Sequence, residues 1–280
     1  MNKYRTGFQG ELGAFSEMAV QAYFGDAAEP VPHGWFDDVF RAVDEGRCDY
    51  GMLPIENTLA GSIHVNYDLM QEHDQQIVGE IVLRIVHNLM AKPGVRPEEL
   101  RRVQSHPKAL EQCVRFFREH PSLKPETVYD TGGAAKMLGE GEDRDIGVIA
   151  STRAAERYGL EILEHGIEDN VQNYTRFLVL GREPEPPVGE RLKTSIVFSM
   201  PHEPGTLFKA MSVFALRDIS INKIESRPLV GSPWEYLFYL DFEGHADSLL
   251  CKRALNHLQE IATNFKLLGS YAEGSIVDRV

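Results

Sequence analysis

The sequence predicts an α/β domain built on parallel strands, followed by a smaller α+β unit of ferredoxin-like type. Three observations carry this reading. Apolar runs suited to buried strands alternate with stripes of helical period up to residue 181, a proline-rich charged stretch at 182–191 then breaks the pattern, and beyond it the elements run β-α-β-β-α-β. A chain of 280 residues, 42% of them hydrophobic, has room for two such domains.

In chain order, residues 4–8 read as a first strand, 9–13 as a turn and about 16–24 as a helix with Ser16 or Glu17 at its entry. Phe36, Val39, Phe40 and Val43 fall on one helical face, and 50–55 reads as a buried strand. The β-branched run 76–91 is placed to cross between two lobes. The rhythm then repeats, with strands at 101–105, 127–129 and 145–150, a helical stripe of Leu110, Cys113, Val114 and Phe117, and a helix at 134–138. Alternation of this kind implies helices on both faces of a parallel sheet, with ligands at the carboxyl ends of the strands. The stretch 170–181, NVQNYTRFLVLG, reads as the last strand of this domain. Strand alternation puts Asn173, Thr175 and Phe177 on one face and Tyr174, Arg176 and Leu178 on the other.

Three prolines and alternating charges make 182–191 a stiff, solvated linker. After it come a strand at 194–200, a helix carrying Leu207, Ala210, Met211 and Phe214 on one face, and strands at 219–226 and 236–242. A second helix presents Cys251, Ala254, Leu255, Leu258 and Ile261, and 265–271 is the last strand.

A net charge of −13, with no run of Lys and Arg, excludes nucleic acid and anionic membrane as partners and leaves small molecules and proteins. The start lacks the apolar core of a signal peptide and no stretch of about 18 apolar residues occurs, so a cytoplasmic protein is expected. Cys48, Cys113 and Cys251 are far apart, as expected of reduced core cysteines. The histidines show no metal-ligand spacing, and no phosphate-binding glycine loop is present, so neither a metal nor a cofactor is expected.

Candidate chemistry follows strands. Glu56-Asn57, Ser105-His106-Pro107 and Asp130-Thr131-Gly132-Gly133 each mark a strand-to-helix turn. Each is either a helix cap or part of a ring of helix N-termini that holds a dicarboxylate without a run of lysines.

PIEN at 54–57, SHPKALEQC at 105–113, NYTRF at 173–177, PGTL at 204–207 and ESRP at 225–228 together resemble the prephenate dehydratases, in a match running from the Gly10 turn to the last strand. The resemblance implies a catalytic domain over 1–182, two-lobed like type 2 periplasmic binding proteins with an inserted lobe at about 80–158, then a linker at 183–191 and an ACT regulatory domain over 192–280. One position departs from the commoner family form: Thr206 stands where alanine is frequent, which adds a hydroxyl beside the implied effector pocket.

The implied reaction turns prephenate into phenylpyruvate by loss of carbon dioxide and hydroxide, driven by aromatisation. It needs a donor for the leaving oxygen, a polar clamp and an apolar wall. The resemblance assigns the leaving group to the Thr175 hydroxyl. Glu56 or Asp130 would supply the proton, Asn57, Ser105, Gln112 and Asn173 suit a substrate already bearing two carboxylates, and Phe177 would provide the wall. Arg176, facing the other way, either binds a carboxylate or locks the lobes through an ion pair. L-Phenylalanine is the implied effector, bound by Pro204, Gly205, Thr206 and Leu207 with Glu225, Ser226, Arg227 and Pro228, between ACT units of a homodimer or a dimer of dimers. Two alternatives stand beside this: an arogenate dehydratase acting on the amino analogue, and an amino-acid sensor that binds without chemistry.

Overall fold

The structure, a computed structural model, describes residues 3–228 and 236–278. These divide into two compact units. The first takes residues up to His64, Ile81–Phe177 and the stretch from Ile276; the second takes Val65–Glu80 and Leu178–Ser275.

The first unit holds two sheets. One is led by parallel strands Ala28–His33, Tyr4–Gln9 and Tyr50–Asn57 in that order, with the short strand Gly61–Ser62 antiparallel to the third. Tyr174–Gly181 follows Tyr50–Asn57 in the order, and its residues Tyr174–Phe177 belong to this unit. Helices Phe15–Phe24 and Phe36–Asp44 each bury an apolar face, through Met18, Ala19 and Val20 and through Val39, Phe40, Ala42 and Val43.

The other sheet runs in the order Glu161–Glu164, Asn88–Ala91, Ile146–Ala150, Arg102–Ser105, Lys124–Thr127. Its last three strands are parallel to one another and Asn88–Ala91 is antiparallel to both its neighbours, so the sheet is mixed rather than parallel throughout. Helices Pro107–Glu111, Thr131–Glu140 and Thr152–Tyr158 start after three of its strands.

The run 76–91 passes from one sheet to the other as two strands, Gln76–Arg84 and Asn88–Ala91. Between them the backbone is bonded elsewhere: Ile85 N–H donates to the Asn173 carbonyl and His87 N–H to a Glu168 carboxylate oxygen. The expected strand at 127–129 ends at Thr127, because Val128 N–H turns to the Ser105 carbonyl and the chain enters the next helix. The helix expected from Ser16 or Glu17 begins at Phe15, with no side-chain cap. Glu17 instead accepts from Gly13 N–H and pairs with Arg153. Ala28–His33 was not expected as a strand because it carries Pro30 and Pro32, which an edge strand tolerates; it is the end strand of its sheet.

In the second unit, an antiparallel sheet runs Ile221–Pro228, Tyr236–Glu243, Leu192–Ser199, Asn264–Ala272, with helices Thr206–Ala215 and Leu249–Ile261. The first and last strands of the β-α-β-β-α-β run are neighbours, which is the ferredoxin-like order. Its core joins Ile196, Phe198, Phe214, Leu240, Phe242 and Leu258. Residues 182–191 form neither helix nor strand.

Candidate active site

The strand Tyr174–Gly181 lies beside Tyr50–Asn57, and this neighbourhood brings NYTRF and PIEN together. Thr58 stitches them: its N–H donates to the Tyr174 carbonyl at 2.9 Å, its Oγ1 accepts from Tyr174 N–H at 3.0 Å and donates to the Gln172 carbonyl at 2.9 Å. Thr175, 8% exposed, then faces Asn57, whose Nδ2 lies 3.0 Å from Thr175 Oγ1 and 2.8 Å from Asn173 Oδ1.

The direction of every hydrogen bond here follows from two backbone amides. Asn57 Oδ1 accepts from Leu59 N–H at 3.0 Å and Ala60 N–H at 2.8 Å, so the opposite end of that side chain is the donor. Asn173 must then meet it with its carbonyl and offer Nδ2 onward, to Gln112 Oε1 at 2.9 Å. Thr175 Oγ1 accepts from Asn57, which leaves the Thr175 proton to donate to something else. Gln112 lines a cavity of about 310 Å³ with Leu59, Ala60, Lys108, Glu111, Asp169 and Asn170. A second cavity, about 240 Å³, is lined by Phe15, Met18, Arg84, Val86, Asn88, Thr152, His165 and Asp278.

Thus Thr175, Asn57, Asn173 and Gln112 form one cluster, while the other expected site residues stand elsewhere. Ser105 is fully buried with its hydroxyl 2.6 Å from the Ile149 carbonyl, so it braces the sheet instead of facing a ligand. Asp130 caps the helix Thr131–Glu140. Its Oδ1 accepts from Gly132 N–H at 2.8 Å and its Oδ2 from Glu11 N–H at 2.9 Å, which occupies both oxygens as acceptors. Gly132 is required there, since a Cβ would stand 2.9 Å from Ala14 N. Strand alternation turns Glu56 away from Asn57's face and the half-buried Arg176 away from Thr175's. Phe177 is 2% exposed, a core ring rather than a wall for substrate. His106 caps the helix Pro107–Glu111 through Nδ1, and burial pushes its pKa down.

Sequence reasoning missed His87 and Phe15. His87 is 3% exposed, with Nε2 at 2.8 Å from Gln112 Oε1 and its ring edge-on to Phe15 at 5.6 Å between centroids. Burial lowers its pKa, countered in part by Gln112 and Glu168. A lone His in an apolar run such as IVHNLM gives no signal by itself; only its neighbours in space do.

In the ferredoxin-like unit, Gly205 sits at φ 80° as the N-cap of Thr206–Ala215, a left-handed conformation that favours glycine. Pro204 and Leu207 are exposed and Thr206 Oγ1 donates to the Glu203 carbonyl at 3.1 Å. The strand Ile221–Pro228 carries Glu225, Ser226 and Arg227 at the sheet edge, ending on Pro228. Arg227 is bound to both oxygens of Asp68, at 2.9 and 3.4 Å.

Among the described residues, no group of three or more His, Cys, Asp or Glu could hold a metal ion, and no helix is long and apolar enough to cross a membrane. All three cysteines are free and buried.

Fold and site together define an α/β protein with a hydroxyl held in a cluster of oriented amides, joined to a ferredoxin-like unit. The family model described as Prephenate dehydratase matches residues 6–185, and the chain belongs to that family. It is 47% identical over 280 residues to arogenate dehydratase/prephenate dehydratase 2, chloroplastic, of Arabidopsis thaliana, covering 96% of this chain and 73% of that protein. With arogenate dehydratase 2 of Petunia hybrida it shares 45% over 289 residues, covering 98% and 73%. Among solved structures, prephenate dehydratase from Arthrobacter aurescens in complex with L-Phe aligns with a TM-score of 0.88 at 30% identity, over 96% of this chain and 90% of that one. GqqA, described as a novel type of quorum quenching acylase, aligns with a TM-score of 0.88 at 35% identity, over 97% and 98%. The chain is therefore an enzyme of the prephenate dehydratase family, with arogenate dehydratases among its relatives.

Proposed function

We propose that this chain converts prephenate to phenylpyruvate in L-phenylalanine biosynthesis, with Thr175 as the hydrogen-bond donor to the departing oxygen. One observation carries the reading: Asn57, oriented by two backbone amides, donates to Thr175 Oγ1, so the Thr175 proton is directed away from the cluster and toward a ligand. The ring carboxylate leaves as carbon dioxide, its bonding pair enters the ring as the ring becomes aromatic, and the C–OH bond breaks with its pair on oxygen. That oxygen gains a proton and leaves as water. A threonine hydroxyl is too weak an acid to surrender its proton outright, so its part is to stabilise charge building on the leaving oxygen. Gln112 adds an oriented amide at the cavity it lines, holding a substrate that already carries two carboxylates with neutral donors.

The ferredoxin-like unit is proposed as an ACT regulatory domain binding L-phenylalanine between two copies of the chain, at the Gly205 helix start and the Glu225–Pro228 strand end. Support comes from the L-Phe complex of the Arthrobacter relative and from the exposed, glycine-capped helix N-terminus. A second reading, arogenate as substrate, is favoured by the names of the plant relatives. The two substrates differ only in a keto or an amino group on the side chain, so kcat/KM measured on both, with and without L-phenylalanine, decides between them. Binding without turnover of either would make the chain a sensor and overturn the proposal.

A further inference from the structure

His87 is neither the hydroxyl nor one of the amides of the proposed reaction, yet it bonds to Gln112 of that cluster. Asn173 presents its Nδ2 to Gln112, so the Gln112 atom it meets is the carbonyl Oε1. The His87 nitrogen 2.8 Å from that same oxygen must then be a donor, which makes Nε2 the protonated ring nitrogen. Nδ1 carries the lone pair and is buried without a hydrogen-bond partner, an arrangement suited to the neutral imidazole. The edge-on Phe15 ring packs against the imidazole, and the His87 backbone N–H, donating to a Glu168 carboxylate oxygen at 2.9 Å, fixes the main chain that carries it.

We propose that His87 is a positioning residue for the dehydration: its Nε2–H clamps Gln112 Oε1 and so turns the Gln112 amino group to the substrate cavity. This rests on the reading of Gln112 and Thr175 as substrate-facing donors. With two N–H groups on one carbonyl oxygen, the Gln112 amide cannot flip without facing two donors with its own donor, and the flip is thereby prevented. Without His87 only Asn173 opposes the flip, and the amide at the cavity loses its fixed direction.

The test uses full-length chain and three variants, His87→Leu, His87→Gln and His87→Asn, each checked for a cooperative melt. Wild-type turnover of prephenate or arogenate is measured first; a wild type inactive on both defeats the functional reading and leaves His87 no reaction to serve. With an active wild type, His87→Leu is expected to lower kcat by roughly 10- to 100-fold, the scale for misplacing a group by about an ångström. A glutamine amide reaches where Nε2 stood and an asparagine amide reaches only as far as Nδ1. His87→Gln should therefore recover most of the loss and His87→Asn should not. His87→Leu in a Gln112→Met background should add nothing further. Nitrogen-15 spectra of the wild-type ring should show a protonated Nε2 and a bare Nδ1. A packing role predicts instead that leucine is tolerated best and that its effect adds to Gln112→Met. Either that pattern or a protonated Nδ1 overturns the inference.

Discussion

Thr175 owes its directionality to Asn57, and Asn57 owes its own to the two amides of the turn that follows it. Thr175→Ala should lower kcat by about 10²- to 10³-fold, the scale for deleting one preorganised donor to developing charge, while Thr175→Ser keeps the hydroxyl and much of the rate. Equal losses from both, in folded protein, would make packing the role of this side chain. The buried His87 and the half-buried His33 and His106 leave a second mark at the same scale. His33, His87 and His106 all have pKa values lowered, first by burial, so each takes up a proton more readily unfolded than folded. Stability should therefore fall as pH drops below about 6.5, the unfolded value, toward the folded ones. His87→Gln removes that residue's share, so its urea midpoint should change less between neutral and mildly acidic pH than the wild type's; an unchanged difference would contradict burial of a neutral ring. Thr175, Asn57, Asn173 and Gln112 were legible only as members of the motifs NYTRF, PIEN and SHPKALEQC that carry the family resemblance, and Gln112 stands at a helix end rather than a strand end. Ser105 and Asp130 were equally visible, but a serine or aspartate after a strand serves a cap or a brace as readily as a ligand, and only the direction of its hydrogen bonds tells which.

Among the elements, caps and glycines govern how the two sheets of the first unit meet. Asp130 starts the helix Thr131–Glu140 and ties Glu11 to it across 119 residues of sequence, while Ser151 caps Thr152–Tyr158 and donates to the Gly13 carbonyl at 2.6 Å. Asp130→Ala should therefore cost about 1–3 kcal/mol, a lost cap together with an orphaned amide, and Asp130→Asn should cost less because its carbonyl still caps Gly132. Thermal or urea unfolding reads this directly; an Asp130→Ala protein as stable as wild type would assign the helix start to Thr131. The alternation of strands and helices was legible because its periods, two and 3.6, are written in apolar spacing. The break at 85–87 was not, since it depends on Asn173 and Glu168, far away in sequence, taking the backbone amides that a continuous strand would have used.

At the scale of the whole molecule, the segment Val65–Glu80 follows the Asn57 turn in sequence but belongs to the unit of the ferredoxin-like sheet. Three anchors account for this. Arg227 grips Asp68, the Tyr239 hydroxyl donates to the Tyr67 carbonyl at 2.7 Å, and Lys266 Nζ gathers the carbonyls of Met70, Gln71 and His73 at the end of the helix His64–Glu72. Burial pushes the Tyr239 phenol pKa up, as expected of a hydroxyl committed to donating. If L-phenylalanine binds beside the Glu225–Pro228 strand end, the Arg227–Asp68 pair is where its presence would be felt by a helix that continues from the Asn57 turn. Inhibition requires the effector to favour one state by about 1–3 kcal/mol, and prephenate must weaken phenylalanine binding by the same factor. Asp68→Asn leaves Arg227 in place but removes the charge it grips. The half-exposed pair adds little to stability, so kcat/KM without effector should stay near wild type while the coupling falls by about 0.5–2 kcal/mol. Inhibition curves at several prephenate concentrations measure that coupling. A wild type that ignores L-phenylalanine would defeat the regulatory proposal itself, whereas a responsive wild type matched by an equally responsive Asp68→Asn would take this ion pair out of the route.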